Sequence, residues 1–136
     1  KACIILCKTS NPSAKEFQDL VVAGLPPHQN FGGGGKPLWQ VVAEKVVTEW
    51  NRNQNCMLVA GATYPEELKK IREIAGDMTL LVPGIGAQGG DLKQALKYGL
   101  NSQGKGLIVS TGRAVIFAKN PAQAARSLRD EIKSLR

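Results

Sequence analysis

Two short stretches of this 136-residue chain carry residue types and spacings suited to gripping an anion. The first is PGIGAQGGD, residues 83–91, whose glycines 84, 86 and 89 spell G-x-G-x-x-G. The second is STGR, residues 110–113. Glycines let backbone N–H groups approach phosphate oxygens closely, because no Cβ stands between main chain and ligand. Arg113 adds a two-pronged, charge-assisted contact, and Gln88 a neutral amide that can reach over the ligand. Phosphate binding is therefore the chemistry that these two turns support.

A dinucleotide fingerprint would account for the glycines, but it asks for more. It expects an acid about 20 residues on, at the end of the next strand, to hold the ribose hydroxyls. The next strand-like run ends instead in Thr111, Gly112 and Arg113. An Arg there can favour a 2′-phosphate, so the test does not by itself dismiss NADP. The fingerprint also belongs to the first βαβ unit, whereas two units precede this one, and Pro83 stiffens a turn that must be tight. The spacing weighs against the dinucleotide.

The elements that must position these turns show a four-fold rhythm. Nearly continuous apolar runs recur at 2–7, 56–61, 79–84 and 106–111, as expected for parallel strands covered on both faces. Helical patterns lie between and after them at 37–53, 65–76, 91–100 and 120–136. Pro65 with Glu66 and Glu67 marks one helix start and Gly76 its end; Asp91 and Asn120 are N-cap residues for two others. The order βαβαβαβα predicts an α/β fold with a parallel sheet, either open and doubly wound or half of a (β/α)8 barrel. In both, ligands bind at the C-terminal ends of the strands, where 9–12, 61–63, 83–90 and 110–113 fall. Where many barrels bind phosphate, the loops after the last two strands do it, and here those loops are the two anion-gripping turns.

One segment breaks the rhythm. The Gly/Pro-rich stretch at about 21–37, with four successive glycines, reads as a mobile surface insertion. It lacks the preceding strand and following Lys-Ser/Thr of a phosphate loop.

Bulk properties narrow the class. The length is that of one domain (residues 1–136), and 43% apolar content is enough for a core. No apolar run approaches the ~20 residues of a bilayer span, and the first residues lack a signal-peptide core, so a soluble, cytoplasmic protein without a membrane partner is expected. The chain opens inside a strand-like run, which points to further sequence upstream. Cys3, Cys7 and Cys56 lie in strand-like runs, and four strand residues separate Cys3 from Cys7 by roughly 13 Å. Buried free thiols are expected, and neither a disulfide nor a metal site. The net charge of +7 comes from scattered bases such as Lys69, Lys70, Arg72 and Arg126, interleaved with acids. This is a solvated helix surface, and no nucleic-acid partner is expected.

The stretches TSNP (9–12), VAGATYPEEL (59–68), LVPGIGAQGGDL (81–92) and STGRAV (110–115), taken in order, closely resemble orotidine 5′-monophosphate decarboxylase, in its longer branch. That resemblance implies the C-terminal half, strands five to eight, of a (β/α)8 TIM barrel that converts orotidine monophosphate to UMP without a cofactor. It implies that Ser10 hydrogen-bonds the pyrimidine. The loop from Pro83 through Gly86 and Gly89 closes over the nucleotide, Gln88 bridges phosphate and base, and Gly112 and Arg113 bind the phosphate. The family's catalytic Lys/Asp motif, D-x-K-x-x-D, is absent: the chain has only Asp19, Asp77, Asp91 and Asp130, and Leu96 stands where the second acid of a motif begun at Asp91 would be. The implied catalytic contribution is therefore none, and the implied partners are the nucleotide, an N-terminal half-barrel and a second subunit of the complete enzyme. Two rival readings share the phosphate site: a sugar-phosphate isomerase or lyase, and a non-catalytic half-barrel module.

Overall fold

The computed structural model describes residues 1–23, 35–86 and 88–136. Four strands, β1 (Cys3–Lys8), β4 (Cys56–Ala60), β5 (Leu80–Pro83) and β6 (Leu107–Ser110), form one sheet in that spatial order. All three pairings are parallel, with Leu6 opposite Val59, Val59 opposite Leu81, and Pro83 opposite Ser110. The four runs expected from the sequence are thus all strands, trimmed or shifted by a residue or two. The order of these strands in space follows their order in the chain. A doubly wound sheet would reverse direction at a switch point, so this is the winding of a barrel.

Each long helix forms where its sequence marks it. In α3 (Pro65–Ala75), Pro65 opens the first turn, Glu66 and Glu67 face the positive end, and Gly76 ends it at φ 55°. Asp91 caps α4 (Leu92–Gly99) by accepting from the Gln94 N–H at 2.7 Å, and Asn120 caps α6 (Pro121–Ser134) through Gln123. The helix expected over 37–53 is shorter and changes pitch. It runs as α2 (Leu38–Lys45), then widens over Val46–Trp50 into a π-helical turn closed by the Asn51 N–H on the Val46 carbonyl.

The core lies between helices and sheet: Leu58, Ala60, Leu80 and Val82 meet Ala43, Val46, Leu68, Ile71, Ala95 and Leu96, all buried. The alternate residues Ile4, Leu6 and Ile108 point to the other face and are 50%, 65% and 43% exposed. Among the described residues, the helices pack on one face of the sheet.

The sequence pattern did not mark α1 (Ala14–Gln18), α5 (Arg113–Ile116) or the short antiparallel pair β2 (Val21–Val22) and β3 (Lys36–Pro37). That pair closes the base of the expected insertion, and residues 24–34, with three of the four glycines, fall outside the described residues. Two further expectations are corrected. Of the three thiols only Cys7 is buried; Cys3 is exposed and Cys56 half-buried, because both sit at the N-terminal rim of the sheet. Arg72, expected on a solvated face, turns inward and donates to the carbonyls of Gly76, Met78, Gly99 and Gly106. Burial of its guanidinium lowers its pKa, partly opposed by Asp77.

Candidate functional site

The last two parallel strands place the Pro83 loop and the Ser110–Arg113 turn side by side. Because Pro83 is in register with Ser110, the chain leaving β5 and the chain leaving β6 emerge at the same height. Between them lies a cavity of about 220 Å³ lined by Pro83, Gly84, Ile85, Gln88, Ser110, Thr111, Gly112 and Arg113. Arg113 is exposed, and no ion pair among the described residues engages it, so its charge is available to a ligand.

The loop from Pro83 is held by hydrogen bonds of its own backbone. The Gly86 N–H donates to Gly90, the Gly89 N–H to Gly86 and the Gly90 N–H to Gly84, at 3.1, 2.8 and 3.0 Å. Gly86 and Gly89, both at positive φ, shape this turn and lie outside the cavity lining. Gly84 has a different reason to be glycine. At φ 97°, a Cβ there would stand 2.7 Å from the Ser10 Cβ and 3.1 Å from the Gln88 Oε1.

Ser10 arrives from the far side of the sheet's C-terminal edge. Its hydroxyl donates to Gln88 Oε1 at 2.7 Å, across 78 residues of chain. The loop that carries Ser10 is clamped throughout. Gln18 accepts from the Thr9 N–H at 2.9 Å and returns its amide to Thr9 Oγ1 at 3.0 Å. Thr63 Oγ1 donates to the Ser10 carbonyl and the Tyr64 hydroxyl to that of Asn11. Five of the seven residues singled out in the sequence (Ser10, Pro83, Gln88, Gly112 and Arg113) thus form or contact one cavity wall.

Beneath this loop lies a group that the sequence reading passed over. The pairing of β1 with β4 slips by one residue between Leu6 and Lys8, a bulge at Cys7. Lys8 is fully buried, ion-paired with Asp19 and 4.5 Å from the centre of the Tyr64 ring. A buried ammonium needs such partners. The pair ties the end of β1 to the end of α1, and so holds the loop between them. A Lys closing an otherwise apolar strand was the available signal. Cys7 donates its thiol to the Trp39 carbonyl at 3.1 Å, and burial pushes its pKa up to about 12.

Among the described residues no group of three or more His, Cys, Asp or Glu is placed to hold a metal ion. Asp91, the one acid that begins like the family's catalytic motif, is spent as a helix cap.

Comparison with known proteins identifies the family and the fold. The sequence profile of the orotidine 5′-phosphate decarboxylase / HUMPS family matches residues 1–128. The chain is 46% identical over 143 residues to an orotidine 5′-phosphate decarboxylase of Cellvibrio japonicus, covering 100% of this chain and 48% of that protein. With one from Cupriavidus metallidurans it shares 45% over 131 residues, 94% of this chain and 44% of the other. Among solved structures it superposes on a Leishmania donovani UMP synthase with TM-score 0.85 at 39% identity, covering 100% of this chain and 28% of that one. For the Leishmania donovani OMP decarboxylase the TM-score is 0.82 at 36% identity, with 99% and 48% covered. The chain spans about half the length of the curated relatives it matches. Its four parallel units are part of those proteins' TIM barrel, and the chain belongs to the orotidine 5′-phosphate decarboxylase / HUMPS family.

Proposed function

We propose that this chain supplies the phosphate- and pyrimidine-binding half of an orotidine 5′-monophosphate decarboxylase, which converts orotidine monophosphate to UMP and CO2. The observation that carries the reading is the single cavity shared by the Pro83 loop and the Gly112–Arg113 turn, with Ser10 bonded to Gln88 at its edge. The Arg113 guanidinium and the Gly112 N–H grip the phosphate. Ser10 engages the oxygen end of the Gln88 amide, which turns its nitrogen end into a donor toward the nucleotide. Ser10 and Gln88 together then read the pyrimidine, while Gly86 and Gly89 let the loop fold over it.

The chemistry belongs to the other half of the barrel. Decarboxylation at the ring carbon needs a carboxylate set against fixed negative charge and a Lys ammonium to meet the developing carbanion. No D-x-K-x-x-D motif occurs in this sequence to provide them. The residues of this chain act at a distance, since binding energy from the phosphate drives loop closure and water exclusion around the reacting carbon. The complete enzyme works as a cytoplasmic homodimer without a cofactor, and the 136-residue chain alone is inactive. No described helix is long and apolar enough to cross a membrane.

The test is Arg113→Ala in the complete barrel. Losing a charge-assisted contact of ~1.5–3 kcal/mol should lower kcat/KM by about 10- to 100-fold. An unchanged kcat/KM would remove Arg113 from the site.

A further inference from the structure

The end of the sheet opposite the nucleotide cavity carries a second group of chemically capable side chains. At the N-terminal rim, Cys3 on β1 and Cys56 on β4 are register partners. The Cys3 N–H donates to the Asn55 carbonyl at 2.9 Å, which fixes that register. Partners in a parallel ladder project to the same face, so the two thiols stand side by side. Neither is in a disulfide; Cys3 is exposed, and Cys56 is half-buried with its thiol donating to the Trp50 carbonyl at 3.8 Å. Beside them opens a cavity of about 620 Å³, whose lining includes Cys56, Met57, Met78 and Asp77. Cys7 takes no part, being buried and bonded to the Trp39 carbonyl.

Strand spacing decides what such a pair can do. Adjacent strands lie ~4.7–4.9 Å apart, whereas a disulfide wants its Cβ atoms ~3.5–4.5 Å apart. A direct S–S bond would pull the strands together. A bridging atom with bonds of about 2.3 Å to each sulfur sets the sulfurs roughly 3.8 Å apart, nearer to the strand spacing than an S–S bond of about 2.05 Å. Thiolates select soft, thiophilic centres, and Met78 is among the residues that line the neighbouring cavity.

We propose that Cys3 and Cys56 form a two-thiolate site for a soft, thiophilic centre at the N-terminal rim of the sheet. The bridge spans β1 and β4 on the side away from the nucleotide, and solvent completes its coordination.

Two probes test this on the full 136-residue chain, reduced and then freed of reductant. The first is Cd²⁺, titrated while its ultraviolet thiolate-to-metal absorption is followed. One ion per chain is expected, with Cys3→Ser and Cys56→Ser each weakening binding at least tenfold. The second is one equivalent of phenylarsine oxide. Two As–S bonds form, the As–O bond breaks, and the oxygen leaves as water with both thiol protons. Peptide mapping after maleimide treatment should find Cys3 and Cys56 protected together in the unmutated chain, a readout that does not depend on either variant folding. Cadmium affinity left intact by either substitution, or Cys3 still open to maleimide after the arsenical, overturns the pairing.

Discussion

At the scale of single residues, the site depends on one contact between distant parts of the chain, Ser10 to Gln88. It requires the backbone at Gly84 to pass so close to Ser10 that no side chain fits between them. If Ser10 reads the base and Arg113 the phosphate, their losses should differ in kind. Ser10→Ala in the complete enzyme removes one neutral hydrogen bond, ~0.5–1.5 kcal/mol, and should weaken UMP binding about 2- to 10-fold. Ribose 5-phosphate, which has no base, should bind as before. Calorimetric titration with both ligands decides it, and an equal loss for the two would reduce Ser10 to a shaper of the loop. Gln88 and Arg113 stood out in the sequence because each sits in a glycine-bearing turn after a strand, and the structure brings both to one cavity. Ser10 was singled out only through family resemblance. The buried Lys8–Asp19 pair was not, because a bulge turned Lys8 inward and no periodicity announces a bulge.

At the scale of elements, the four strands and four long helices could be read because each had a long apolar run or marked ends. The short helices α1 and α5 and the two-residue strands β2 and β3 could not, since they are too short for a period to show. The π-helical turn after α2 was hidden for another reason. Its apolar residues keep a helical spacing whichever carbonyl the next N–H selects. Arg72 shows why helix surfaces mislead. It follows Lys69 and Lys70 in sequence, yet it joins the end of α3, the approach to β5, the end of α4 and the start of β6 through four carbonyls. Arg72→Met keeps the stem and removes all the donors. At ~1–3 kcal/mol for each carbonyl left dry, and with water reaching some of them, a total loss of about 2–4 kcal/mol is expected in urea unfolding. Lys69→Met, on the exposed side of the same helix, should change stability by less than about 0.5 kcal/mol. Similar losses for the two would mean that the staple adds little.

At the scale of the whole molecule, the helices cover one face of the sheet and leave the other bare. Parallel sheets are almost always covered on both faces, and open edges invite pairing. Here Ile4, Leu6 and Ile108 line the bare face, while β1 and β6 are open edges. In the relatives that this chain half-covers, a closed barrel would bury those residues. The division of labour proposed above therefore predicts that the purified chain turns over no orotidine monophosphate. Co-expression with the first four units of a close relative should restore turnover and a discrete size on gel filtration. Decarboxylation by the 136-residue chain alone would show that the catalytic groups had been sought in the wrong place.

The small ladder at the foot of the insertion has a practical corollary. Val21 faces Pro37, Val22 faces Lys36, and the Leu38 N–H reaches back to the Leu20 carbonyl at 2.8 Å. Entry and exit of the insertion are thereby stitched together on the scaffold. For a flexible connection with fixed ends, doubling its length costs only ~0.6 kcal/mol. The position is thus a natural graft point, where a reporter or affinity sequence can be spliced in while α2 and the strand pairing stay as they are.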